Sequence, residues 1–471
     1  MKRLHLVMDI RNLILPVGVI IFNLNAFFPG YLNPDSSGML NDAVSLTSGS
    51  GWHSSFLTLL WSILYLALGN IDLIWVAQLI FFVISAYFIS KYHFTKFRIV
   101  AFLGLTLWPS IWLGVMCSFL KEPWAVTFAL CALIFCFNCI DRFCYRQAVF
   151  SVLFCAGCIA VRVDYLIVAF PILFGLMLIT AFNSTKFKRF FRIALLIILF
   201  FSSLMINPSI HRFLGLGNPF PHPEICGMVW DIIGINKYLN NDCFILLEEK
   251  ICISERQAQY DASDFPWKNQ WFNSLTPDDF LRADSDTRIN MGILYKRAGE
   301  TYMIWLNAIM ANPMAFLKHR YEIAKIFLGI NGMPRSYLSQ SAYPQQFPHF
   351  KELQKLRYEF NYSKLNHTLY SIWGSFQLIF KFWFYIALSS VAIIAICIIK
   401  RNTGQIKKAF IIYVMVLANT SLVIIIPSAD FRYGIFIIVG TILLISMFFN
   451  ELLAKIRTPK PELPIDANDL P

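Results

Sequence analysis

Charged residues are scarce in this chain, because Asp, Glu, Lys and Arg together make up only 14% of its 471 residues. Soluble domains carry about 25% charged residues, so the composition excludes an ordinary soluble protein. In their place, 57% of the residues are hydrophobic and 16% are aromatic. Several stretches approach the ~20 apolar residues that cross a bilayer, among them 13–28, 71–89, 124–140 and 378–399. The sequence therefore predicts an integral membrane protein.

The chain also lacks internal repeats, low-complexity segments and the cysteine spacing of a zinc site. Of its 11 cysteines, all but Cys226, Cys243 and Cys252 lie in or beside predicted spans. Cys243 and Cys252 are expected to pair if their segment faces an oxidising compartment. No small-x-small cleavage motif follows the first span, so we expect this span to be retained rather than removed as a signal peptide.

The net charge of +12 is not spread evenly. Basic residues gather in short clusters between spans, whereas the predicted short outer segments carry only Lys121, Arg162 and Arg432. The positive-inside rule produces this bias, so the clusters predict the cytoplasmic side and argue against nucleic acid as a partner. Both termini are expected to be cytoplasmic.

The alternation of spans and clusters predicts an all-α polytopic membrane protein with about ten transmembrane helices and a large, mainly helical extracytoplasmic loop domain. The apolar run 148–181 is too long for one span, and we expect it to break at Arg162 on the outer side. Residues 54–68 are expected to form either loop or a re-entrant or surface helix. Residues 1–206 are predicted to form a transmembrane module with catalytic outer loops, and residues 207–370 the loop domain. Residues 371–454 are predicted to form a second transmembrane module, and residues 455–471 a disordered cytoplasmic tail.

Ionisable residues outside the basic clusters and the large loop fall on one predicted face, the outer one. Charges at membrane depth are costly and usually mark a site, so their convergence from four segments favours a shared function. The residues concerned are Asp35, Asp42, His53, Lys121, Glu122, Arg162, Asp164, Asp430 and Arg432.

Such a set suits glycosyl transfer from a lipid-linked sugar. A carboxylate takes the proton of an acceptor hydroxyl as that hydroxyl attacks the anomeric carbon. Cationic groups hold the lipid phosphate and stabilise the charge that it gains on leaving. A nucleotide-sugar enzyme would instead need a large inner domain, and no predicted inner loop is long enough for one.

Four short motifs, in chain order, are FPGYLNPDS with WHSSFLTLLW, SFLKEPWAV, VRVDYLIVAFP and SADFRYGIF. The arrangement resembles the polytopic GT-C-type glycosyltransferases, which use polyprenyl-phosphate sugars on the outer face of a membrane. The resemblance implies that Asp35 is the catalytic base and that Glu122 shapes the site, although Glu stands where Asp is more usual. It further implies substrate-binding roles for Asp42, His53, Lys121, Arg162, Arg432 and Tyr433.

Each of these residues also has a structural interpretation. Asp35 is placed to cap a helix, and Asp42 either assists the site or is a solvated acid on the same helix face. Lys121 and Glu122 would form a local ion pair or a solvated turn. Arg162 would neutralise Asp164, Arg432 would neutralise Asp430 in the same way, and His53 would be an ordinary interfacial histidine. His211 and His222 are expected to have structural or surface roles. The same is expected of Lys318-His319-Arg320, although this basic run would also suit lipid phosphate.

The expected function is an inverting, metal-independent transfer of a sugar to a cell-envelope glycan or lipid. The expected partners are the polyprenyl-phosphate donor, that acceptor and the lipid bilayer, and a bacterial inner membrane is the expected location. No cofactor is predicted, although some lipid-donor transferases hold a divalent cation with outer acids. Alternatives are a polymerase or ligase of lipid-linked glycans and a flippase or transporter, whose usual repeats and midplane charges this chain does not clearly show.

Overall fold

The protein is described here from a computed structural model. The structure describes residues 13–28, 30, 34–45, 54–111, 116–182, 193–194, 197–198, 201–202, 204–214, 224–239, 243–246, 249–252, 294, 296–330, 365, 368–369, 372, 376–399, 403–422 and 431–457. His53, Asp430 and His222 therefore lie outside the described residues, as do residues 458–471 of the predicted tail. Residues 455–457, which the sequence assigns to that disordered tail, are instead helical.

The described chain is almost entirely helical. Its helices are α1 (Ile14–Phe27), α2 (Pro34–Ser45), α3 (Ser55–Leu68), α4 (Asp72–His93), α5 (Arg98–Leu107), α6 (Pro109–Ile111), α7 (Lys121–Asp141), α8 (Tyr145–Val161), α9 (Leu166–Phe182), α10 (Ile206–Phe213), α11 (Ile225–Tyr238), α12 (Ala298–Ala311), α13 (Pro313–Leu328), α14 (Phe382–Ile399), α15 (Thr403–Ser421) and α16 (Ile435–Arg457). Three short 3₁₀ helices, Val163–Tyr165, Gln377–Phe380 and Phe431–Gly434, precede α9, α14 and α16.

One antiparallel hairpin departs from the all-α prediction. Strand β1 (Cys243–Leu246) pairs with β2 (Glu249–Cys252), and the register places Cys243 opposite Cys252. This is the relative position that a cross-strand disulfide needs, and the pairing itself stays a prediction.

Four helical segments of the described chain are long and apolar enough to cross a membrane: Asp72–His93, Lys121–Asp141, Phe382–Ile399 and Phe431–Ile456. Shorter apolar helices lie at Ile14–Phe27, Ser55–Leu68, Arg98–Ile111, Tyr145–Val161 and Val163–Ile179. The apolar helices indicate a bilayer environment, as predicted. The predicted span at 193–206 lies largely outside the described residues.

Contacts at the two ends of the bundle fix the direction of the long helices. At one end, Arg162, after α8, is bonded to Glu122 at the start of α7. At the other, Lys408 near the start of α15 donates a 2.6 Å hydrogen bond to Asp141 at the end of α7. We call these the site end and the opposite end. Helix α7 thus runs away from the site end, and α8 and α15 run back towards it.

Residues 54–68 are helical, which settles one open alternative of the sequence. The hydroxyl of Ser54 caps α3 by accepting a hydrogen bond from the Leu57 N–H at 3.1 Å, and Gly69 ends the helix with a φ of 69°. A left-handed residue closes a helix at low cost when it is glycine. Ser54 also donates to the carbonyl of Ala160, so α3 begins beside the end of α8 at the site end.

Candidate functional site

The candidate site is built from three segments that are far apart in the sequence. Glu122 lies in the first turn of α7, Arg162 between α8 and the 3₁₀ turn Val163–Tyr165, and Arg432 in the 3₁₀ turn before α16. Arg162 Nη1 donates to Glu122 Oε1 at 2.9 Å, and Arg432 Nε lies 4.0 Å from that same oxygen. Two guanidinium groups therefore converge on one carboxylate. We call Glu122, Arg162 and Arg432 the arginine–carboxylate cluster.

Arg162 is held by the break that the sequence predicts. The backbone of Arg162 is extended, with φ −161° and ψ 121°, so α8 cannot continue and the chain turns into Val163–Tyr165. The side chain donates from Nε to Asp164 Oδ1 at 2.7 Å in addition to its bond with Glu122. Two carboxylates thus fix both the position and the rotation of the guanidinium plane, as expected for the forked donor geometry of Arg.

Arg432 is positioned by close packing around Gly434. A Cβ added at Gly434 would lie 2.2 Å from Cζ of Phe382, the first residue of α14. Phe382 also stacks on Phe431 with ring centroids 5.0 Å apart. Only glycine allows this approach, and the contact fixes the turn that carries Arg432 against the start of α14.

Aromatic rings line the cluster. The ring centroid of Tyr433 is 4.2 Å from the Cζ atom of Arg162 and 5.4 Å from that of Arg432. Tyr165 lies on another side of Arg162 at 5.6 Å. A ring face attracts a guanidinium and limits its access to water, so the two cations are both oriented and partly desolvated.

Burial strengthens the electrostatic interactions between the charged groups of the cluster. The side chain of Glu122 is 0% exposed, and those of Arg162 and Arg432 are 15% and 9% exposed. Burial lowers the pKa of Arg162, but the surrounding negative charges, Asp164 first, raise it well above the ordinary value. The guanidinium therefore stays charged. Glu122 Oε2 is buried without a hydrogen-bond partner among the described residues.

The structure also places the other predicted site residues, as far as it describes them. Asp35 lies in α2, whose backbone is described although the Asp35 side chain is not. Asp42 is buried on the same helix, and Lys121 is buried at the start of α7. Their predicted substrate contacts stay predictions.

Helix α2 is connected to the cluster through α3. Ser62 of α3 donates to the carbonyl of Ala43 in α2 at 2.6 Å. At the start of α3, Ser54 and Asn207 both donate to the carbonyl of Ala160, two residues before Arg162. The segment that carries Asp35 and Asp42 therefore packs against α3, which begins beside the end of α8 at the site end.

Sequence reasoning missed two residues that support the cluster. Tyr165 packs its ring on Phe436 at 5.1 Å, and its hydroxyl is buried without a partner among the described residues. Asn419 is fully buried in α15, donates to the Tyr433 carbonyl at 2.9 Å and accepts from the Ile437 N–H at 3.2 Å. A lone Asn within an apolar run is the signal that marks it.

The basic run at 318–320 contributes mainly to the packing of α13 against α11. Asp231 of α11 is buried and accepts hydrogen bonds from Arg320 Nη2 at 2.6 Å and from the Trp305 indole at 3.0 Å. Burial raises the pKa of Asp231, and Arg320 opposes the shift. His319 Nε2 lies 3.5 Å from the same carboxylate. Of the three, only Lys318 is exposed, and the ion pair joins α11 to α13.

His211 has a structural contact too, as expected. Its Nδ1 lies 3.3 Å from the hydroxyl of Ser55 and helps to hold α10 against α3.

Metal ligation has no support in the described part of the chain, where no group of three or more His, Cys, Asp and Glu side chains is close enough to hold an ion. The two acids nearest to the site's chemistry, Glu122 and Asp164, both accept from Arg162.

No protein-family model, curated protein or solved structure matches the chain. What the site can do therefore has to be judged from its own chemistry. Two guanidinium groups that converge on one carboxylate at the end of a membrane bundle favour an anionic ligand.

Proposed function

We propose that the chain is an integral membrane glycosyltransferase that moves a sugar from a polyprenyl-phosphate donor to a cell-envelope glycan or lipid. In this proposal about ten helices cross the inner membrane of a bacterium, both termini are cytoplasmic, and the loop domain lies on the outer side with the site end. The bilayer is required because the polyprenyl tail of the donor stays within it.

The observation that carries the proposal is the convergence of Arg162 and Arg432 on Glu122. Arg162 pairs with both Glu122 and Asp164, and Arg432 approaches Glu122 from another segment. Two guanidinium groups therefore lie side by side, which is an arrangement that suits a bridging phosphate. A phosphate with its developing negative charge is the anion that guanidinium groups bind best. The aromatic wall of Tyr165 and Tyr433 keeps this charge in a low-dielectric setting, where it stabilises a leaving group most.

The roles proposed for Arg162, Arg432 and Glu122 rest on these contacts, and the others rest on the sequence resemblance. The acceptor hydroxyl oxygen bonds to the anomeric carbon as the bond from that carbon to the phosphate oxygen breaks, which inverts the configuration. Asp35 takes the hydroxyl proton, and polyprenyl phosphate leaves as an anion held by Arg162 and Arg432. Glu122 is a positioning residue, since its bonded oxygen is already occupied by the two arginines. Lys121, Asp42, His53 and Tyr433 contribute to binding.

The test is turnover by the purified full chain in detergent, with a panel of polyprenyl-phosphate sugars and Asp35→Asn beside the unmodified protein. We expect release of polyprenyl phosphate from one donor, lost in the folded variant. Lys318→Gln is the control, because Lys318 is exposed and is not part of the arginine–carboxylate cluster.

Two other outcomes would replace the proposal. Full activity of Asp35→Asn would favour a polymerase or ligase of lipid-linked glycans that needs no essential acid. Consumption of no donor, together with movement of a lipid-linked sugar across vesicle membranes, would make the protein a flippase. In both cases the arginine–carboxylate cluster would still bind lipid phosphate.

A further inference from the structure

A second polar site lies at the opposite end of the bundle, where α1, α4 and α5 meet. It is an open cavity of about 100 Å³. Its lining residues are Leu15, Tyr87, Ser90, Lys91, Arg98, Ile99 and Phe102. Contacts beside Arg98 locate the cavity: Phe97 stacks on Phe449 of α16, and the Lys96 N–H donates to Asn450 at 2.9 Å. The arginine–carboxylate cluster is at the other end of these helices.

Three polar groups face this cavity. Lys91 and Arg98 supply two cations, and among the described residues neither has a carboxylate within ion-pair distance. The Lys91 ammonium lies 5.4 Å from the centroid of the Tyr87 ring, which keeps it at the cavity wall. Ser90 is 1% exposed, and its hydroxyl is without a hydrogen-bond partner in the described part of the chain. A buried hydroxyl costs free energy unless something accepts or donates to it.

The rest of the wall is apolar and continues onto the outer surface of the bundle. Leu15, Ile99 and Phe102 line the cavity, and next to them the side chains of Ile14 and Val100 are 69% and 53% exposed. A soluble anion gains nothing from such a wall. A molecule with a charged phosphate and a hydrocarbon chain matches both the cations and the apolar surface of the cavity.

We propose that Ser90, Lys91 and Arg98 bind the phosphate of an anionic phospholipid, whose acyl chain lies along α1 and α5. The lipid phosphate accepts from both cations and from the Ser90 hydroxyl, which gives that buried hydroxyl its partner. The site binds a structural or regulatory lipid, independent of the sugar donor.

Native mass spectrometry of the purified full chain tests the proposal. The protein in a neutral detergent is offered equal amounts of phosphatidylglycerol and phosphatidylcholine, and each bound lipid is counted. We expect the unmodified protein to retain phosphatidylglycerol preferentially. Lys91→Gln and Arg98→Gln should each lower that retention about fivefold, because one cation near anionic lipid contributes about that factor. Retention of phosphatidylcholine should not change.

Lys96→Gln is the matched control, since Lys96 is exposed in the same turn but does not line the cavity. It should leave retention unchanged, and Lys91→Arg, which keeps the cation, should restore it. Equal retention of the two lipids, or an equal loss in Lys96→Gln, would overturn the proposal. Displacement of phosphatidylglycerol by millimolar inorganic phosphate would show a site for soluble phosphate instead. Thermal unfolding of each variant in detergent confirms that it is folded.

Discussion

The guanidinium of Arg162 donates to two carboxylates at once, from Nη1 to Glu122 and from Nε to Asp164, at 2.9 and 2.7 Å. Glu122 belongs to α7, whereas Asp164 lies two residues from Arg162 in the chain. One acid thus ties Arg162 to a neighbouring helix and the other fixes its local turn. The cation is oriented before any substrate arrives, and preorganised charge stabilises a transition state most effectively.

Arg162→Lys should lose this double fixation, because an ammonium is a point charge without the planar fork. If the proposed donor reaction is observed, we expect turnover to fall roughly 10- to 100-fold, the effect of one misplaced charge-assisted hydrogen bond. The measurement is initial rate of polyprenyl phosphate release. Arg142→Lys, at an exposed position after α7, should keep the full rate. An unchanged rate in Arg162→Lys would show that the double contact is structural only.

Glu122→Ala should destabilise the protein, since it leaves two buried guanidinium groups without their shared carboxylate. Removing one partner of a buried ion pair costs about 3–5 kcal/mol. Glu122→Gln keeps the volume and one acceptor oxygen, so its loss should be smaller. The midpoint of thermal unfolding in detergent is the readout. A midpoint equal to that of the unmodified protein in both variants would contradict the geometry of the cluster.

Gly434→Ala should displace the turn that carries Arg432, because the added methyl meets the Phe382 ring. Overpacking of this kind costs about 1–3 kcal/mol. Gly18→Ala is the matched control: a Cβ at Gly18 in α1 has no atom within 4 Å, so it should be neutral or stabilise by up to about 1 kcal/mol. The midpoints of thermal unfolding of Gly434→Ala and Gly18→Ala are compared. The packing argument fails if Gly18→Ala is the more damaging substitution.

Arg320→Gln should loosen the packing of α11 against α13, because Asp231 would stay buried without its main cation. The expected cost is about 3–5 kcal/mol. Lys318→Gln, two residues away and exposed, should change stability little. The measurement is the rate of limited proteolysis within residues 224–330, and we expect faster cleavage in Arg320→Gln alone. Equal cleavage in both variants would mean that the Asp231 contact does not hold α11 to α13.

The sequence predicts the helical elements better than their contacts. The apolar runs predict the long helices. Arg162-Val163-Asp164 predicts the break after α8, because charged residues interrupt an apolar run there. Asn312-Pro313 also separates two helices, since α12 ends at Ala311 and α13 begins at Pro313. Proline is tolerated in the first turn of a helix, where its missing N–H has no role.

The partners of these residues depend on how helices pack, which local patterns do not encode. Nothing near Glu122 in the sequence indicates that Arg162 and Arg432 share its oxygen, or that Tyr165 and Asn419 support them. Gly434 shows its role only once Phe382 lies against it. The hairpin at 243–252 was missed because its strands are only four residues long.

Binding of polyprenyl phosphate to the purified chain tests the central claim most directly, since this product carries the phosphate that Arg162 and Arg432 are proposed to hold. Equilibrium binding of labelled polyprenyl phosphate should be saturable, and Arg432→Gln should weaken it roughly 10- to 100-fold, whereas Lys318→Gln should not. Equal affinity in Arg432→Gln and the unmodified protein would contradict the account.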